Sequence, residues 1–280
     1  MTDHFAAFSF VDRITDYRPG THARGRFAIP AGVDAFPPAL VAEAVGQLAA
    51  WVAMEHIAYR GRPVAALANE TRFLAPVAPG DVLELAVDIE TADDEAVAYK
   101  GTADVAGRRV IELNDCLGPM LPVGDFDDPA ALAARFKVLT GEGAAPGRFR
   151  GIVPPQAVRT GGVRGESATA TLAVPSAAPF FNDHFPRRAV FPATLLLNAQ
   201  IGLALGLAAE APHWPAATPP VPLRMTHVKV RSFTPPGATL ALGAELKPPV
   251  AGVATCMLTA DADGKRVATA RVDLAPRSPA

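Results

Sequence analysis

Residues 180–200 read Phe180-Phe181-Asn182-Asp183-His184-Phe185-Pro186-Arg187-Arg188-Ala189-Val190-Phe191-Pro192-Ala193-Thr194-Leu195-Leu196-Leu197-Asn198-Ala199-Gln200. A histidine stands in a tight His184-Phe185-Pro186 turn, and eight residues after it Pro192 opens an apolar run. Proline suits the first turn of a helix, where its missing N–H has no intrahelical partner in any case. No residue from Ala189 to Ala209 is charged, a length that would reach across a membrane. Pro192, Thr194, Asn198 and Gln200 interrupt it, however, and no basic flank follows. The expectation is a buried helix of a soluble fold and no membrane span. Asn198 and Gln200 are expected to bond locally within that helix.

The same grammar occurs earlier in the chain. Phe36-Pro37-Pro38-Ala39-Leu40 begins an apolar helix to Met54 in which Glu43 is the single charged residue, so this helix too is expected to be buried all round. Strand candidates follow at 64–67, 69–74, 82–89, 96–105 and 108–117, with turns at Pro79-Gly80-Asp81 and Ala106-Gly107. Asp127-Asp128-Pro129 starts a short helix to Phe136, and the Gly, Ala and Pro of 141–151 read as a linker. The pattern then restarts. Strand candidates at 149–153 and 167–174 precede the His184 turn and its helix. After an Ala/Pro-rich loop at 211–222, more follow at 224–233, 238–246, 254–260 and 266–274. Phe36-Pro37-Pro38 aligns with Phe191-Pro192-Ala193, and Arg72-Phe73 with Pro79-Gly80 aligns with Arg231-Ser232-Phe233 and Pro236-Gly237. These landmarks come in the same order at offsets of 155 to 160 residues, which marks an internal repeat. A helix followed by antiparallel strands, twice, predicts an α+β protein of two similar domains, 1–140 and 152–280, joined by 141–151.

The 180–200 stretch resembles the active-site segment of bacterial 3-hydroxyacyl-[acyl carrier protein] dehydratases, Phe-Phe-x-Gly-His-Phe-Pro-Gly-x-Pro-x-x-Pro-Gly-x-Leu followed by Glu or Asp. Asn69 to Leu83 resembles that family's Arg-Phe-x-x-Pro-Val-x-Pro-Gly-Asp-x-Leu. The resemblance implies a double hot-dog, with each repeat wrapping a sheet round one long helix and the two pairing within one chain as the family's subunits pair in a dimer. In the family, each site takes a histidine from one subunit and an acid from the other. Here the acid position after His184 is Asn198, and the matching position in the first repeat is Glu43. The residue fourteen before Glu43, where a histidine would stand, is Ile29. Carried over, His184 and Glu43 form one catalytic pair per chain, and the Ile29/Asn198 pair is inert.

The resemblance further implies reversible loss of water from 3-hydroxyacyl thioesters, with no metal or cofactor. The family's carbonyl-binding glycine is Pro38 in one repeat and Ala193 in the other. Pro38 has no N–H, so the backbone amides of Ala39 and Ala193 become the oxyanion candidates. Phe181, Phe185, Arg187 and Arg188 flank the histidine and are candidates for substrate or carrier contact. Two rival readings stay open: a hot-dog acyl thioesterase and a non-catalytic acyl-thioester-binding protein.

Composition agrees with a globular fold with a sizeable core. Half of the 280 residues are hydrophobic. Cys116 and Cys256 form no metal or redox spacing, and no secretory leader is visible, so a cytoplasmic location is expected. The net charge of −2 divides into −8 for residues 1–140 and +6 for 141–280. That balance offers nothing for nucleic acid, while a basic second half suits an acidic partner such as acyl carrier protein or the phosphates of coenzyme A. Further homo-oligomerisation of the whole chain is left open.

Overall fold

Each half of the chain wraps strands round one long helix. The computed structural model describes residues 5–215 and 218–277. The first half contains β1 (Arg13–Arg18), β2 (His22–Ala28), α1 (Pro38–His56), β3 (Gly61–Pro63), β4 (Leu67–Phe73), β5 (Val82–Ala92), β6 (Ala96–Val105), β7 (Arg108–Pro122) and α2 (Pro129–Thr140). The second contains β8 (Val158–Gly161), β9 (Ser167–Ala173), α3 (Pro179–His184), α4 (Ala193–Ala209), β10 (Pro220–Val230), β11 (Thr239–Leu246), β12 (Ala254–Ala262) and β13 (Lys265–Pro276).

The strand order shows the repeat directly. One antiparallel sheet runs β1-β2-β5-β6-β7-β4-β10-β13-β12-β11-β9-β8, with β3 paired to β7. Read inward from either edge, the two halves give the same order of equivalent strands. They meet at β4 and β10, where Arg224 pairs with Arg72 and Lys229 with Leu67. This is a double hot-dog with a pseudo-twofold at the β4–β10 seam.

Local chemistry repeats as well. Gly80 and Gly237 have φ of +93° and +76° in Ala78-Pro79-Gly80-Asp81 and Pro235-Pro236-Gly237-Ala238. Each turn closes through a backbone bond, Asp81 N–H to Ala78 O at 3.1 Å and Ala238 N–H to Pro235 O at 3.3 Å. A proline followed by a left-handed residue is the signature of a type II turn, which is why glycine recurs there.

Both long helices start at prolines. Pro38 is the first residue of α1, and Pro192 directly precedes α4. The inward faces of both helices carry the core: Ala44, Val45, Leu48 and Val52 of α1, and Leu195, Ala204 and Leu207 of α4, are essentially inaccessible. At Gly101 on β6 an added Cβ would lie 2.4 Å from Val45 Cγ1, so the helix rests directly on the strand backbone.

Several expectations are corrected. α1 is not buried all round: Ala42, Glu43, Gly46, Gln47 and Ala50 are half-buried and front a cavity. No strand forms at 149–153, because Gly147 and Gly151 take positive φ (75° and 85°) and break the extended path. Phe149 instead plugs the core against Phe10, Phe27 and Phe36, while Val153 is 91% exposed. The strand expected at 64–67 does not form, since β3 ends at Pro63 and β4 begins at Leu67, and β10 begins at Pro220, inside the stretch read as a loop. Gln200 does not bond locally: its side chain is fully buried, and neither amide atom has a partner among the described residues. Among the described residues no helix is long and apolar enough to cross a membrane.

Candidate active site

A cavity of about 660 Å³ opens between α1, the β4–β10 seam and the 184–194 segment, and both His184 and Glu43 line it. That volume lies within the range of small-molecule sites, roughly 300–1,000 Å³. Its walls are mainly apolar.

Glu43 is held through both carboxylate oxygens. Gln47 Nε2, one helical turn on, donates to Oε1 at 3.0 Å, and Thr194 Oγ1 of α4 donates to Oε2 at 2.9 Å. Gln47 is itself fixed, because Phe10 N–H donates to its Oε1 at 2.8 Å and its Nε2 also donates to Phe8 O at 3.0 Å.

His184 ends the short helix α3. Its ring lies edge-on to Phe8, centroids 4.8 Å apart, and tilted against Phe185 at 4.0 Å. Neither imidazole nitrogen has a hydrogen-bond partner among the described residues, and the residue lines the cavity. The preceding Asp183 is buried and accepts N–H bonds from Phe5 (3.3 Å), Ala7 (3.1 Å) and Phe8 (2.7 Å). That carboxylate fastens the N-terminal segment, and hence the Phe8 ring, over the histidine.

Arg62 of β3 joins the two halves at this point. Its Nη2 donates to His184 O at 2.8 Å, its guanidinium lies 4.9 Å over the Phe185 ring, and Nη1 is 3.5 Å from Asp127. Asp127 is buried and takes both carboxylate contacts from Arg135 at 2.6 Å. Removing one partner from a buried network of this kind costs on the order of 3–5 kcal/mol, because the other charge is left uncompensated.

Burial sets the two protonation states. It pushes the His184 imidazole down to about 3, with the charge of Arg62 acting in the same direction. It pushes the Glu43 carboxyl up, against the opposing bonds from Gln47 and Thr194 and the charge of Arg62. Both side chains front the cavity and are surrounded by protein elsewhere, so water in the cavity tempers these shifts without reversing them. A neutral imidazole and a carboxyl held toward its acid form are thus brought to one apolar chamber from opposite halves of the chain. Burial also pushes the Cys116 thiol, another wall residue, up to about 12, which leaves no thiolate there at neutral pH.

The remaining sequence candidates fall in different places. Ala39 and Ala193 both front the cavity in the first turns of α1 and α4, and neither backbone N–H is paired among the described residues. Phe185 and Arg188 line the cavity, with the Arg188 guanidinium over the Phe233 and Phe126 rings at 4.6 and 5.4 Å. Arg187 is exposed and tied to the first half through Asp128 (2.9 Å) and Gly124 O (3.2 Å). Phe181 is packed in the main core and does not line the cavity. Ile29 is a core residue, and Asn198 does not reach the cavity.

Comparison with known proteins agrees with this architecture. No family model matches the chain. The 3-hydroxyacyl-[acyl-carrier-protein] dehydratase FabZ of Bacillus velezensis is 36% identical over 120 residues, which is 39% of this chain and 85% of the relative. That of Bacillus subtilis is 34% identical over 128 residues, covering 41% and 91%. Among solved structures, the dehydratase domain of PpsC from Mycobacterium tuberculosis, in complex with C12:1-CoA, superimposes with a TM-score of 0.56 at 16% identity, covering 97% of this chain and 100% of that one. A MaoC-like dehydratase gives 0.55 at 15% identity, covering 93% and 99%. The acyl-CoA thioesterase II TesB2 of Mycobacterium marinum gives 0.51 at 12% identity, covering 93% of each chain. Fold and cavity define a hot-dog enzyme of the dehydratase/thioesterase type. Within that class, the chain belongs to the 3-hydroxyacyl-[acyl-carrier-protein] dehydratase FabZ family.

Proposed function

We propose that the chain interconverts 3-hydroxyacyl and trans-2-enoyl thioesters at one composite site, with His184 as base and Glu43 as acid. The observation that carries this reading is that the two side chains, from opposite halves of the molecule, line one apolar cavity. In the dehydration direction, neutral His184 takes the proton from C2, whose acidity depends on polarisation of the thioester carbonyl. The unpaired first-turn amides of Ala39 and Ala193 are the donors that support this, each at the positive end of a helix. The C2–H electron pair forms the C2=C3 bond as the C3–O bond breaks, and a proton originating on Glu43 converts the departing hydroxyl to water. A raised carboxyl pKa suits a general acid at neutral pH.

The thioester is carried by acyl carrier protein or coenzyme A. Arg188 at the cavity wall is the cation best placed to meet a phosphate, because Arg187 is already engaged by Asp128.

The thioesterase reading is kept because thioesterases share the fold. A trans-2-enoyl thioester separates the two. Loss of enoyl absorbance with the thioester intact supports hydration, whereas release of free thiol supports hydrolysis.

A further inference from the structure

Gln47 determines which oxygen of Glu43 can carry a proton. Phe10 N–H occupies the Gln47 amide oxygen at 2.8 Å, so the NH₂ end faces Glu43 Oε1 at 3.0 Å and Phe8 O at 3.0 Å. An amide NH₂ has only donors to offer, so Oε1 is the accepting, carbonyl-like oxygen of a protonated Glu43. The acidic proton then lies on Oε2. The group that meets Oε2, at 2.9 Å, is the Thr194 hydroxyl, which also fronts the cavity. A hydroxyl accepts as readily as it donates, so it can take a hydrogen bond from the acid form and return one to the carboxylate.

We propose that Thr194 is a catalytic residue, a hydroxyl that relays the proton of Glu43 to the 3-hydroxyl leaving group. The inference rests on the dehydratase reading above. As the C3–O bond breaks, Thr194 Oγ1 gives its proton to the departing oxygen and takes the proton of Glu43 Oε2. Water leaves, and Glu43 remains as a carboxylate that accepts from Thr194 across the same 2.9 Å contact. The acid from the first half thus acts through a side chain of the second. A threonine that only held Glu43 in place would have no proton in flight.

The test is a proton inventory of the dehydration direction, in which the proton leaving C2 comes from substrate and not from solvent. Wild-type rates in mixtures of H₂O and D₂O are expected to follow a bowed curve, reporting two solvent-derived protons moving together. Thr194→Val, close in shape, is expected to lose roughly 10²-fold in kcat/KM, at the lower end of general acid–base contributions, and to give a straight inventory. Thr194→Ser keeps the hydroxyl and is expected to stay within a few-fold of wild type with the curve still bowed. A straight wild-type inventory overturns the relay, even if Thr194→Val is slow. Unchanged kcat/KM in a folded Thr194→Val protein overturns it as well. If the wild type turns over no 3-hydroxyacyl or enoyl thioester at all, the dehydratase reading itself fails and the relay falls with it.

Discussion

Arg62 Nη2, on a strand of the first half, donates to the main-chain oxygen of His184, in the second half, at 2.8 Å. This bond crosses the pseudo-twofold and fixes the histidine turn from behind, leaving the imidazole nitrogens free. The same guanidinium lies near Glu43 and Asp183, with Asp127 and Arg135 behind it. It therefore acts on both members of the proposed pair, by position and by charge.

Replacing Arg62 by Met removes a positive charge that lowers the pKa of both His184 and Glu43. Both values rise without it. The acid limb of the kcat/KM–pH profile, where His184 gains a proton, moves to higher pH, and so does the alkaline limb, where Glu43 loses one. A fall in kcat/KM on the order of 10²-fold is expected from loss of alignment. Arg62→Lys keeps the charge and should leave the limbs in place. A slow Arg62→Met enzyme with unmoved limbs would reduce Arg62 to a structural role.

Stability should respond to pH through the histidine. Its folded pKa is depressed to about 3, so between about 3 and 6.5 the unfolded chain binds a proton that the folded chain does not. The contribution of neutral His184 is full above the unfolded value and is lost as pH falls through that window. Glu43, with a raised folded pKa, has the opposite sign and loses stability as pH rises. His184→Gln should therefore show a smaller drop in urea midpoint from pH 7 to pH 4.5 than wild type. An equal drop would place the acid sensitivity elsewhere.

Asp183 takes three backbone N–H groups of the N-terminal segment. Asp183→Ala leaves those donors without their acceptor, which costs on the order of 1–3 kcal/mol, and it loosens Phe8 over the histidine. Thermal unfolding should register the loss, and limited proteolysis should cut earlier near residue 8. Wild-type behaviour in both measurements would mean that Phe8 is held by ring packing alone.

Much of this was legible in the sequence, and the reasons are local. Pro79-Gly80 and Pro236-Gly237 announce the same turn twice because only glycine takes the required backbone angle cheaply. Pro38 and Pro192 announce both helix starts. That His184 and Glu43 front one cavity could be expected because each repeat carries only one of the two residues. Gln47, Thr194 and Arg62 were missed. Gln47 stands four residues after Glu43, a spacing that puts the two side chains on one helix face, so a signal was present. Thr194 and Arg62 reach the site only through the docking of one half on the other, and no local pattern reports that. Gly147 and Gly151 explain the failed strand at 149–153: both take positive φ and turn the chain.

The proposed site is composite, built within a single chain from His184 of one half and Glu43 of the other. The most direct measurement is hydration of a trans-2-enoyl thioester by His184→Ala and Glu43→Gln, each alone and then mixed. Each variant alone should lose at least about 10²-fold in kcat/KM, in line with removal of an acid or base. The mixture should recover nothing, and Asn198→Ala should stay close to wild type. Near-wild-type activity in either single variant, or recovery on mixing, would contradict the account.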